Sequence, residues 1–109
     1  MIIEGAYFRE ITMQEPTAKE FIRRFGEAVD MLPHAVEKNY DAMNMDQFLD
    51  WATDLMWIED KHLIFIVRGA ISDDVRELMN DIINFWRDEA EHVIVGGESK
   101  KVDFILVNK

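Results

Sequence analysis

The chain contains no cysteine, two prolines, five glycines, and only 12 lysines and arginines against 22 aspartates and glutamates in 109 residues. Without cysteine there are no disulfides and no thiolate metal sites, which fits a reducing compartment. With so few cations the formal net charge is −10. A surface of that sign repels nucleic acid backbones and anionic membranes, and it favours a basic partner and speeds encounter with one. No apolar segment approaches the ~20 residues that cross a bilayer. The first residues, Met1 to Gly5, have no basic flank and no long apolar run, so no signal peptide is expected and the cytoplasm is the expected location. There is no low-complexity tract, no internal repeat and no linker. The length fits one domain, spanning 1–109, with a single core.

The apolar residues that are present alternate between two periods. Residues 2–12 read as a strand through Ile2, Ile3, Ala6, Tyr7, Phe8 and Ile11. A turn at 13–15 leads to Pro16, expected as the first helical residue because its missing N–H costs nothing there. Phe21, Ile22, Phe25, Val29 and Leu32 follow the helical period until Pro33 stops or kinks the helix. Residues 34–43 are expected to form a further helical turn or two, ending in a loop around Asp41 to Met43. A helix from about Met45 to Met56 and a turn at Glu59-Asp60-Lys61 follow. His62 to Val67 is a short continuous apolar run rich in branched residues, the mark of a strand buried on both faces as in parallel sheets. Ser72 is a good N-cap, with Asp73 and Asp74 at the positive end of the helix dipole. Val75, Leu78, Met79, Ile82, Ile83 and Trp86 give the core stripe of a helix running to about His92. Val93 to Val95 is a short extended piece, Gly96 to Ser99 a turn, and Val102 to Val107 a last strand that can pair with it as a hairpin. Strands separated by helices imply parallel pairing with right-handed crossovers. The expected fold is therefore α/β: two layers, a small three-stranded parallel sheet covered by helices, with strands added in sequence order.

The helix from Met45 carries the functional signal. Asp46, Asp50 and Asp54 recur every four residues and stack along one helical face, while Phe48, Trp51, Ala52 and Leu55 lie opposite, with Leu49 and Met56 on the flank. Like charges at this spacing destabilise a helix by about 0.2–0.5 kcal/mol per pair, and no lysine or arginine lies on the helix to offset them. Such a face is either a solvated surface of an acidic protein or a site kept for something positive. Met43, Met45 and Met56 form a cluster that suits an adaptable contact surface, with core filling the main expectation for Met56.

Other chemistries lack their residues. Gly96-Gly97 sits between extended pieces and not at a strand-to-helix junction, so it is not a phosphate-cradling loop. His34, His62 and His92 fall in three elements without ligand spacing, and neither a metal nor a cofactor is expected. Asp46 and Asp50 form an acid/base pair only in outline, because no His, Lys or Arg stands near in sequence to tune them. The expectation is a protein that is not an enzyme.

The stretch Tyr40-Asp41-Ala42-Met43-Asn44-Met45-Asp46-Gln47-Phe48-Leu49-Asp50, closing with Asp54-Leu55-Met56-Trp57-Ile58, resembles the signature of the barstar-like ribonuclease (barnase) inhibitor family. In that family a Tyr-x-Gly-x-Asn-x-Asp-Ala-Leu stretch opens the second main helix, and Asp-Leu-x-Trp often closes it before the central strand. The likeness extends in outline to the order of elements along most of the chain. It implies that the helix and the loop before it plug the active site of a small basic ribonuclease of the secreted or toxin type, carboxylates standing in for substrate phosphate. Carried over position by position, Asp46 and Asp50 match the nuclease-facing aspartates. Tyr40 matches the loop tyrosine, Asn44 a brace at the helix start, and Thr53 a contact on the next turn. Asp88 lies near an acidic contact on the last helix. Leu49 and Asp54 complete the expected partner-binding set. The sequence departs from the signature in three places: Ala42 replaces the motif glycine, Leu49 stands between the aspartates where an aromatic residue is common, and Leu32-Pro33 lies several residues further upstream than usual.

Two functions follow as expectations. The first is a stoichiometric inhibitor, an immunity protein or antitoxin, monomeric when free. The second is an acidic adaptor or nucleic-acid mimic that binds another basic protein through many carboxylates. A small enzyme using Asp46 and Asp50 is a weaker third.

Overall fold

The computed structural model describes residues 6–36, 38–55, 57–58, 60–91 and 101–107, the side chains of 88–91 excepted. The elements are β1 (Ala6–Thr12), α1 (Ala18–Ala28), a short 3₁₀ helix (Tyr40–Ala42), α2 (Met45–Ala52), β2 (His62–Arg68), α3 (Asp73–Glu91) and β3 (Lys101–Val107). The three strands form one sheet in the order β1-β2-β3, both pairings parallel, with Ala6 opposite His62 and His62 opposite Lys101. This is the sequential parallel arrangement read from the sequence. The proposed extended piece at 93–95, and with it the hairpin, lies outside the described residues, as do Met56, Glu59 and the Gly96-Gly97 turn.

Strand alternation sends Ile11, Leu63, Phe65, Val67, Val102 and Phe104 to one side of the sheet, and all three helices cover that side. Phe21, Phe25, Phe48, Phe65 and Phe104 form the centre, with ring centroids 4.9–6.1 Å apart. Each fully buried phenylalanine stabilises the fold by about 1.5–3 kcal/mol. On the other side no described element covers the sheet. There Ile64 is buried and Ile66 half-buried, while Phe8 and Ile105 are partly open to solvent. Burial of β2 on both faces is thus a correction: register neighbours Phe8 and Asp103 flank Ile64, but no second helix layer exists among the described residues. Nor is any described helix long and apolar enough to cross a membrane.

The helix ends differ from expectation for local reasons. Pro16 precedes the first turn of α1 without entering it; Thr17 is the N-cap, its hydroxyl accepting from the Glu20 N–H at 3.1 Å. The helix closes at Ala28, well before Pro33. Asp30 takes a left-handed φ of 58°, the Met31 N–H donates to Gly26 O at 2.9 Å and the Asp30 N–H to Glu27 O at 3.2 Å. These bonds satisfy the last carbonyls, and buried Met31 seals the turn. Ser72 caps α3 as expected: its carbonyl accepts from Arg76 and its hydroxyl from Val75.

Candidate protein-binding surface

The surface around α2 is assembled from the loop upward. Asn39 Oδ1 accepts from the Asp41 N–H at 2.9 Å and starts the 3₁₀ turn. Asp41 then reaches back to α1, 3.0 Å from Arg23 Nη2 and 3.6 Å from Lys19 Nζ. Tyr40 lies across Gly26, so close that a β-carbon there would stand 2.2 Å from the ring. The glycine in the middle of α1 is explained by this approach. Burial pushes the Tyr40 hydroxyl up to about 12, helped by the nearby carboxylates of Glu27 and Asp30 and opposed by a backbone hydrogen bond at Leu32. The loop is therefore fastened to α1 by one packed ring and one shared carboxylate.

Asn44 begins α2 with a reciprocal cap. Its Oδ1 accepts from the Gln47 N–H at 2.8 Å, and Gln47 Oε1 accepts from the Asn44 N–H at 2.9 Å. Phe48 and Ala52 anchor the helix in the core. Asp46 and Asp50, one turn apart and about 6 Å along the axis, point to solvent. No lysine, arginine or histidine pairs with either among the described residues.

The remaining expected contacts divide. Asp54 does not share the helical face: α2 ends at Ala52, and Leu55 turns into the left-handed region at φ 49° with its N–H donating to Trp51 O at 3.3 Å. Complete burial of the Leu55 side chain holds this bulky residue in a conformation it disfavours. The row of three aspartates is thus a pair plus a half-buried Asp54 in the turn that follows. Thr53 is half-buried and spends its hydroxyl on Leu49 O at 2.6 Å. Leu49 is half-buried against the core. Tyr40 keeps only part of its ring accessible. Asp88 lies on α3 two residues past Trp86, whose indole N–H donates to Ala52 O at 3.3 Å; the Asp88 side chain is outside the described residues.

The methionine cluster separates as well. Met43 is core, and Met45 is 45% exposed. Met45 borders a groove of about 720 Å3 between α1 and the start of α2, floored by Ile22, Met43 and Ala18 and edged by Tyr40 and Asp46. Sequence reasoning missed this groove and the roles of Gly26, Lys19 and Arg23. A glycine interrupting an otherwise regular apolar stripe at Phe21, Ile22, Phe25 and Val29 is the one signal that pointed to a close approach. Behind the surface, Trp57 donates its indole N–H to Val29 O at 2.7 Å and stacks on His34 at 4.3 Å, tying the end of α1 to the chain leaving α2.

Chemically, this surface offers fixed, open carboxylates beside an apolar groove. No family model, curated protein or solved structure matches the chain.

Proposed function

We propose that this protein is a stoichiometric inhibitor of a small basic ribonuclease, blocking the active site with α2 and the loop from Tyr40. The observation that carries the reading is the pair Asp46 and Asp50, exposed on a doubly capped helix and unpaired by any cation among the described residues. Two like charges held one turn apart are a small cost to the free protein. Against a cationic cleft that expels water the same two charges gain strength, because their attraction to the partner grows as the surrounding dielectric falls. The net charge of −10 draws such a partner in, with an association rate that falls as salt rises. Fastening of the loop through Tyr40 and Asp41 supports the reading further, since a surface already in place loses less freedom on binding.

The test is inhibition of a purified basic ribonuclease of the barnase type by the wild type and by Asp50→Lys. The wild type titrates the enzyme one to one. Asp50→Lys keeps its fold, because the side chain is exposed, and loses inhibition by about 2 kcal/mol or more. An unfolded Asp50→Lys protein, or one that inhibits as well as wild type, removes the assignment. The adaptor reading predicts instead a loss spread evenly over many carboxylates, with no dominant aspartate.

A further inference from the structure

The two free edges of the sheet are built differently. Hydrogen bonding of the Met13 N–H to Arg68 O turns Phe8 and the other even-numbered residues of β1 outward. On this edge Arg9 folds its guanidinium 4.0 Å over the Tyr7 ring and donates Nη1 to the outward Phe8 carbonyl at 2.9 Å. A charged side chain lying on an edge strand is a common device against further pairing. At the other edge, the Lys101 N–H donates to Lys61 O at 2.8 Å, which by the same alternation turns the backbone groups of Val102, Phe104 and Leu106 outward. No described residue bonds to them.

What borders this second edge is shaped. The flank of α3 beside β3 forms a notch of about 160 Å3 lined by Arg76, Met79, Asn80, Ile83, Phe104 and Leu106. A second hollow of about 250 Å3 continues past Arg76 and Leu106 to Gly69 and Val107. Leu106 is 46% exposed there. The charge is also out of keeping with the rest of the molecule. Arg76 and Arg87 fall with Asn80 and Ile83 on this flank of α3 by helical spacing, and Lys101 opens β3. Among the described residues no carboxylate pairs with any of the three. Asp74, Glu77 and Asp81 fall round the far side of the helix, and Asp73 stands above its first turn.

We propose that β3 accepts an extended acidic segment of another protein as a fourth strand, with an apolar side chain in the Met79–Ile83–Leu106 notch and carboxylates on Arg76 and Arg87. Main-chain bonds to Val102, Phe104 and Leu106 supply the pairing, and alternate side chains supply the choice of partner. The spacing agrees. Arg76 and Arg87 stand about 16 Å apart along α3, and strand positions two before and two after a central residue stand about 13 Å apart, within reach of the arginine side chains. A second copy pairing β3 with β3 would bring both sets of cations together, so like charge opposes it.

The probe is the peptide acetyl-Thr-Glu-Thr-Val-Thr-Glu-Thr-amide, titrated into the isotopically labelled full chain and followed by NMR. Amides of Val102, Phe104 and Leu106 exchange quickly with solvent in the free protein and become protected with peptide. Their shifts move in a saturable way, and Arg76→Glu with Arg87→Glu weakens binding at least tenfold and reverses the preference towards the same peptide carrying lysines. Slow exchange of those three amides in the free protein, a dimer joined along β3, equal binding of the lysine peptide, or no saturable shift on β3 each overturns the proposal. Because α2 takes no part, failure here leaves the ribonuclease reading standing, and failure of ribonuclease inhibition leaves this one.

Discussion

Two helices on the same side of one sheet treat their charges in opposite ways. On α1, Arg24 bonds Glu20 at 3.0 Å and lies 3.7 Å from Glu27, and Arg23 and Lys19 share Asp41. The Arg24 hydrogen bond holds the Glu20 carboxyl below its usual range, assisted by the Gln14 N–H. On α2, Asp46 and Asp50 have no such partner among the described residues. Both helices bury phenylalanines in the same cluster, so packing does not set them apart. The difference teaches that a protein with a large excess of acid can still place its few cations where they fasten structure. The acid that serves no internal purpose is left facing outward on a rigid mount.

The sharpest attack on this comparison is at the mount. Gly26→Ala replaces a mid-helix glycine, which in an open helix gains about 0.5–1 kcal/mol. Here the new β-carbon collides with the Tyr40 ring, and a net loss of about 1–3 kcal/mol is expected in urea denaturation. In a Tyr40→Ala background the same change becomes neutral or stabilising, and the coupling in that double-mutant cycle measures the clasp.

Alkaline titration comes next. The folded Tyr40 hydroxyl stays protonated to about 12, above its ordinary 10. Ionisation therefore favours the unfolded chain. The contribution is fully present below pH 10 and disappears as the pH rises to about 12. Tyr40→Phe should reduce that alkaline loss in the urea midpoint, with a remainder from Tyr7, which burial also raises.

Smaller still is Glu20→Gln on α1. Its lowered folded value means that the native contribution is present above the ordinary glutamate range and lost as pH falls through it. The variant should lose up to about 1 kcal/mol at neutral pH and show a weaker acid dependence below pH 4.5. Smallest, and opposite in sign, is Asp46→Asn with Asp50→Asn on α2. Relieving one like-charge pair should raise stability by a few tenths of a kcal/mol, about 0.2–0.5. A clear loss of stability there would mean that α2 holds its acids for folding after all.

Much of this architecture was legible in the residues. Continuous apolar character at Leu63 to Val67 and the two helical stripes flanking it prescribe a sequential parallel sheet, and the sheet has that order. The Asn44–Gln47 cap and the outward Asp46 and Asp50 are likewise readable from spacing alone. Chain reversals were not. Asp30 and Leu55 take left-handed conformations that glycine usually signals, so α1 and α2 both stop earlier than their apolar periods indicate. Asp54 leaves the acidic row for that reason. The docking of Tyr40 on Gly26 and of Asp41 on Arg23 joins residues that are far apart in the chain, and no local pattern encodes such a pairing. Met43 and Met45 look alike in sequence, and only the turn before α2 sends one inward and the other out.

The most direct measurement is calorimetric titration of a small basic ribonuclease of the barnase type with three proteins: wild type, Asp46→Asn/Asp50→Asn, and Glu20→Gln. The account predicts one-to-one binding by wild type and Glu20→Gln, weakening as salt is added, and a loss of about 2 kcal/mol or more in the α2 double variant. Equal affinity for all three would contradict it, as would a loss in Glu20→Gln matching that of the α2 pair.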